Sequence, residues 1–159
     1  AEAERRVQAI ATVHAALSQN VDESVDFDEV ARTIVRMAGA IASTDHGVEV
    51  ITPGNFGTIS ADQAQALATV LNELVANSVE HGLADRDGRI EVCAQREGLS
   101  MKLTVADDGV GFVPGTPMSG LGTQIVHQMV RGELRGSIEW APREGGGTLV
   151  TLWVNLDPA

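Results

Sequence analysis

Apolar residues recur at helical spacing through the first forty positions. Val7, Ile10, His14, Leu17 and Val21 stand at alternating steps of three and four, the seam of a coiled-coil-like helix. The pattern is already running at Val7 with no capping residue before it, so the helix is expected to begin upstream of Ala1. A second stripe, Phe27, Val30, Ile34, Met37 and Ile41, follows the capping-box pair Asp26 and Glu29. The turn chemistry of "STDHG" stops it.

"GVEVITPG" then reads as a strand and "GTIS" as a short one. Ser60 or Asp62 can cap a long helix running to about Glu80, with Gly82 just past its end. Strands are expected over about Arg89–Gln95 and Ser100–Ala106, joined by the turn "REGLS". A stretch dense in Gly and Pro, "DDGVGFVPGTPMSGLG", leads into a helix "TQIVHQMVRGE". A strand around "GSIEWA", the loop "PREGGG" and a last strand "TLVTLWVNL" complete the order. This order predicts an α+β fold: a two-layer sandwich with a mixed, mostly antiparallel sheet and helices on one face, preceded by an N-terminal helix.

Within the long helix, Glu73, Asn77 and His81 recur every four residues and span an arc of about 80°. Leu67, Val70, Leu71, Leu74 and Val75 fill the adjoining arc, so the polar line borders the buried face. Periodicity alone fits the polar rim of a packed helix as well as one wall of a site. A carboxylate and an amide one turn apart suit a hard cation such as Mg²⁺, which takes few protein ligands when phosphates supply the rest.

Three glycine loops follow. Asp107-Asp108-Gly109-Val110-Gly111 comes directly after a strand, where a carboxylate can present an acceptor while the backbone bends beside a flat ligand. Gly120-Leu121-Gly122 precedes a helix and places backbone N–H groups at its N-terminus. Gly145-Gly146-Gly147-Thr148 opens the final strand. Any one of these loops by itself reads more readily as a tight turn. A P-loop is excluded because Thr123 stands where its lysine should follow Gly122. A dinucleotide fingerprint starting at Gly109 fails at Pro114, where a small residue is required.

Composition narrows the partners. The chain has 159 residues and a formal charge of −11, with Lys102 the single lysine, which disfavours nucleic acid and anionic membranes. Cys93 is the single cysteine, so neither a disulfide framework nor a thiolate zinc site is available. No apolar stretch approaches the ~20 residues of a membrane span and "AEAERR" is unlike a signal peptide, so a cytoplasmic location is expected.

Taken together, "NELVANSVEHG", "DDGVG", "GLGTQIV" and "GGGTLVTL" resemble, in order, the N box and three glycine boxes of the GHKL superfamily. That superfamily comprises the ATP-binding domains of DNA gyrase, a heat-shock chaperone, histidine kinases and MutL, and the resemblance covers about residues 44 to 156. The N-terminal part resembles the second dimerisation helix and linker of HWE-related sensor histidine kinases of the second His-kinase-A subfamily, including soluble actinobacterial sensors. The implied division is residues 1–22 for the end of the dimerisation helix, 23–43 for a linker and first helix, and 44–159 for the ATP-binding domain.

The resemblance implies Mg²⁺ and ATP as cofactors, with Asn77 ligating the metal between the phosphates and Glu73 near the γ-phosphate. It implies that Asp107 accepts from the adenine amino group, with Thr148 supporting it by hydrogen bonding. Gly109 and Gly111 would allow close backbone approach, and Gly120, Leu121 and Gly122 would hinge the lid and meet phosphate; His81 fills a matching position. Glu80 departs from the pattern, since many kinases carry a basic residue there, and the lid "FVPGTPMS" is short.

The subfamily's acceptor motif resembles "HHRVKNN" on the preceding helix, and His14 lies instead on an apolar seam, so it is expected to pack rather than accept phosphate. The implied partners are a response regulator and a second copy in the full-length kinase. Two other functions remain open: an anti-sigma-factor-type serine kinase, and a nucleotide-gated dimer or interaction module without phosphotransfer.

Overall fold

The computed structural model describes residues 24–42, 48–51, 55–83, 87–111 and 121–158. The seam containing His14, the "STDHG" turn, the lid and Gly120 lie outside these. Among the described residues eleven elements follow in order: β1 (Ser24–Asp26), α1 (Phe27–Ala42), β2 (Val48–Ile51), β3 (Thr58–Ser60), α2 (Ala61–Asn77), a π-helical turn (Ser78–Gly82), β4 (Gly88–Glu97), β5 (Ser100–Asp107), α3 (Leu121–Arg131), β6 (Ser137–Pro142) and β7 (Thr148–Asn155).

Five strands form one sheet in the order β2-β4-β5-β7-β6, with β2 parallel to β4 and the other pairs antiparallel. The period-two alternation of the strands decides which face is buried. Ile90, Val92 and Ala94 of β4 share that face with Met101, Leu103 and Val105 of β5 and Val150, Leu152 and Val154 of β7. The other face carries exposed Gln95, Lys102 and Trp153. Across the buried face lie the helices α1, α2 and α3, with α2 packed between the other two. Phe27, Val30, Ile34, Leu67, Leu71, Leu74, Val126 and Val130 complete the core, each contributing on the order of 1.5–3 kcal/mol of burial. This is the expected two-layer sandwich.

β4 and β5 are joined by the two-residue turn Gly98-Leu99. Gly98 has φ +61° and Leu99 a negative φ, as a type II′ hairpin requires.

Two features were not anticipated. Residues 24–26 form a strand, β1, paired antiparallel with β3 in a separate two-stranded sheet. Asp26 ends that strand and still caps α1, accepting the Asp28 N–H at 3.2 Å. At α2 the expected cap differs: Ser60 precedes the helix, but its hydroxyl makes no capping hydrogen bond.

The first turn of α1 is fastened to the segment before β3. The Asp28 carboxylate accepts the N–H groups of Asn55 and Phe56, both at 2.8 Å, and Phe27 N–H donates to the Gly57 carbonyl at 3.0 Å. Burial pushes the Asp28 carboxyl up, but the Asn55, Phe56 and Gly57 backbone donors and the nearby Arg32 charge outweigh it and hold it below its ordinary value. From β4, the Arg96 guanidinium donates to the carbonyls of Phe56 and Thr58 at 2.8 and 2.7 Å, tying the same segment to the sheet. At the opposite end of the chain, buried Gln63 donates to the Glu133 and Asn155 carbonyls and accepts the Asp157 N–H. Every polar atom of that side chain is thereby used, which is what makes a fully buried amide tolerable.

Candidate functional site

The helix α2 delivers Glu73 and Asn77 to one end of the sandwich. Glu73 is fully buried, deeper than its expected place at the border of the apolar face, and Asn77 is half-buried at the last α-helical position. Beyond Asn77 the helix widens. Leu83 N–H bonds to the Ser78 carbonyl at 2.8 Å, an i to i+5 bond, so residues 78–82 form a π-helical turn instead of another α turn. The wider turn breaks the four-residue register before His81, so the line of Glu73, Asn77 and His81 does not continue as a straight helical stripe. Its physical return is the position of Leu83, whose buried side chain occupies the space over Gly88 at the start of β4.

The π-helical turn lies beside β5, and β5 ends at Asp107. Asp107 is buried, on the face shared with the core strands. Its Oδ1 accepts the Gly109 N–H at 3.0 Å and the Thr148 N–H at 3.4 Å. Support from Thr148 therefore comes from its backbone, across the register pair Asp107–Thr148. The Gly109 bond is an Asx-type turn that folds the loop back on its own carboxylate. Oδ2 receives no hydrogen bond from the described residues. A buried carboxylate with one oxygen held and one open can accept a further donor.

The glycines around it serve close backbone approach. Gly147 has φ +101°, and a Cβ there would overlap the Asp107 carbonyl. Gly111 has φ +74°, and its Cβ would stand 3.0 Å from the Gly147 carbonyl oxygen. The two loops thus pack backbone on backbone, which no side chain permits. Gly122 is buried in the first turn of α3, which opens at Leu121, and the N–H groups of such a turn have no partner within their helix. Since α3 packs on α2, these N–H groups belong to the same layer as Glu73 and Asn77.

One residue escaped the sequence reading. The exposed Asp108 turns away from Asp107, its Oδ1 accepting the Arg89 N–H at 2.8 Å while its own N–H donates to the Arg89 carbonyl at 3.3 Å. Only the doublet Asp107-Asp108 in the sequence hinted at a division of labour. His127 and Trp140, with ring centroids 5.2 Å apart, join α3 to the edge strand β6. Among the described residues no group of three or more His, Cys, Asp and Glu is placed to hold a metal. No helix among them is long and apolar enough to cross a membrane.

Comparison with known proteins bears on the family and the fold. Residues 62–158 match the family model of histidine kinase-, DNA gyrase B- and HSP90-like ATPases, and residues 1–41 match a histidine kinase model. The sensor histidine kinase PdtaS of Mycobacterium tuberculosis is 38% identical over 158 residues, covering 96% of this chain and 32% of that protein. PdtaS of Mycolicibacterium smegmatis is 39% identical over 160 residues, covering 98% and 32%. The chain spans about a third of the length of these relatives. In structure it is similar to the histidine kinase domain of the Erythrobacter litoralis EL346 blue-light activated histidine kinase, with TM-score 0.81 at 20% identity over 98% of this chain and 75% of that one. The catalytic domain of the histidine kinase ThkA gives 0.67 at 18% identity over 84% and 94%. At these identities the two structures speak to the fold.

Proposed function

The chain belongs to the family of histidine kinase-, DNA gyrase B- and HSP90-like ATPases, and from that premise we propose that it is the ATP-binding catalytic part of a sensor histidine kinase. The observation that carries the reading is Asp107, buried with Oδ1 held by Gly109 and Thr148 and Oδ2 open among the described residues. The adenine amino group donates to Oδ2, and the tightly turned Gly109 and Gly111 let the base lie against backbone.

Glu73 and Asn77 offer hard oxygen donors one helical turn apart, which fits Mg²⁺ as a partial ligand set completed by phosphate oxygens. Bound there, the ion would supply neutralisation of phosphate charge. The Leu121 and Gly122 N–H groups, with Gly120 before them, hold phosphate at the start of α3. His81 lies within the π-helical turn that follows Asn77. The reaction breaks the bond between the γ-phosphorus and the ADP oxygen and forms a bond to an imidazole nitrogen of an acceptor histidine. A response regulator then receives the phosphoryl group. The protein's share is to position the nucleotide and to place Glu73 near the γ-phosphate.

The match of residues 1–41 to a histidine kinase model favours this over an anti-sigma-factor-type serine kinase. In the full-length kinase the heptad seam supports a cytoplasmic homodimer, and the acceptor is a histidine other than His14. The test is labelling of the full-length kinase with γ-labelled ATP, followed by addition of its response regulator. Acid-labile label that survives His14→Ala and passes to the regulator is expected. Loss of label in His14→Ala would move the acceptor to that residue, and binding of ATP without any label would favour a nucleotide-gated interaction module.

A further inference from the structure

We propose that Asp108 is a positioning residue for base recognition, holding Asp107 in register through the start of β4. This rests on the reading of Asp107 as the adenine acceptor. Asp108 is exposed, so it does not line the buried face on which Asp107 stands. Instead it makes a reciprocal pair with Arg89: Oδ1 accepts the Arg89 N–H at 2.8 Å and the Asp108 N–H donates to the Arg89 carbonyl. The regular β4–β5 ladder ends one residue earlier, at Ile90–Asp107. Asp108 therefore extends the pairing past the residue that must be held, where a strand end would otherwise fray.

Two close approaches fix Asp108 from other sides. Its Cα lies where a Cβ on Gly147 would come to 3.0 Å, against the loop that leads to Thr148. Its Oδ1 lies where a Cβ on Gly88 would come to 2.8 Å, and that same Cβ would overlap the Leu83 side chain. Leu83 closes the π-helical turn that follows Asn77. Asp108 thus joins the β7 loop, the start of β4 and the end of the α2 wall. Without its side-chain acceptor, the Arg89 N–H loses its partner and the end of β5 gains freedom. Base reading at Asp107 then weakens, while the phosphate-facing groups on α2 and α3 keep their places.

The experiment compares affinities for ATP and inosine triphosphate, which lacks the amino group, in the full chain and in Asp108→Ala, Asp108→Asn and Gly88→Ala. Asp108→Ala is expected to lower the ATP preference by about fivefold, the scale of one lost hydrogen bond, with inosine triphosphate affinity unchanged. Asp108→Asn keeps an acceptor oxygen and should retain the preference. Gly88→Ala crowds the same oxygen from the other side and should reduce it. Equal weakening of both nucleotides in Asp108→Ala, or an unchanged preference, overturns the positioning role. A wild-type chain that binds both nucleotides equally overturns the reading of Asp107 itself, and the role of Asp108 with it.

Discussion

Gly147 lies so close to Asp107 that a Cβ at position 147 would overlap the Asp107 carbonyl oxygen, and its φ of +101° is one that side chains avoid. Gly147→Ala is therefore expected to destabilise the protein by ~2–4 kcal/mol, combining backbone strain with overpacking. Gly98 is the internal control, with positive φ but open space around its missing Cβ. Gly98→Ala should cost only about 1 kcal/mol. Urea unfolding of the two variants side by side measures the difference.

The Asp28 carboxylate gives a pH signature. Its folded value is lowered by the backbone donors Asn55, Phe56 and Gly57 and by Arg32. A depressed carboxylate contributes stability that is fully present above the unfolded value and lost as pH falls through the folded one. Asp28→Asn should therefore be less stable than the wild type by ~1–2 kcal/mol at neutral pH, a gap that narrows below about pH 4. Denaturation midpoints measured from pH 7 down to pH 3 test both the size and the sign.

Gln63 fills its buried hydrogen-bonding capacity with the Glu133 and Asn155 carbonyls and the Asp157 N–H. Gln63→Met keeps most of the volume but strands those three backbone groups. A loss of ~2–4 kcal/mol is expected. Amide hydrogen exchange at Asp157 should accelerate along with it, reporting release of the chain after β7.

At the proposed metal position, Asn77→Ala should remove the Mg²⁺ dependence of nucleotide binding while leaving the unfolding transition cooperative. Asn77 is only half-buried at the helix end, so its loss opens no large cavity. Titrations with and without Mg²⁺ decide the matter: a variant that still gains affinity from the metal removes Asn77 from the ligand set.

Much of this architecture is legible in the sequence because local signals agree with the global fold. The stripe Phe27, Val30, Ile34 and the alternation Ile90, Val92, Ala94 each name one buried face, and both occupy it. The strand at Ser24–Asp26 is not legible, since its pairing with Thr58–Ser60 depends on a partner more than thirty residues away. The π-helical turn is hidden for a related reason. Residues 78–82 have ordinary helical character, and the widening shows only in the bond from Leu83 to Ser78, with Leu83 seated over Gly88 five residues on. Within the candidate site, order and spacing mark Asp107 as a strand end followed by glycine turns, and the strand and turns stand there. Which of Asp107 and Asp108 takes the buried face is not legible in the doublet itself, because it follows from where the strand lies in the sheet.

The pocket itself is tested most directly by calorimetric titration of Mg·ATP into the wild-type chain and into Asp107→Asn. Binding by the wild type, with no measurable binding by a variant that still unfolds cooperatively, is the expected result. Equal affinity in the two would contradict the assignment of Asp107 as the adenine acceptor.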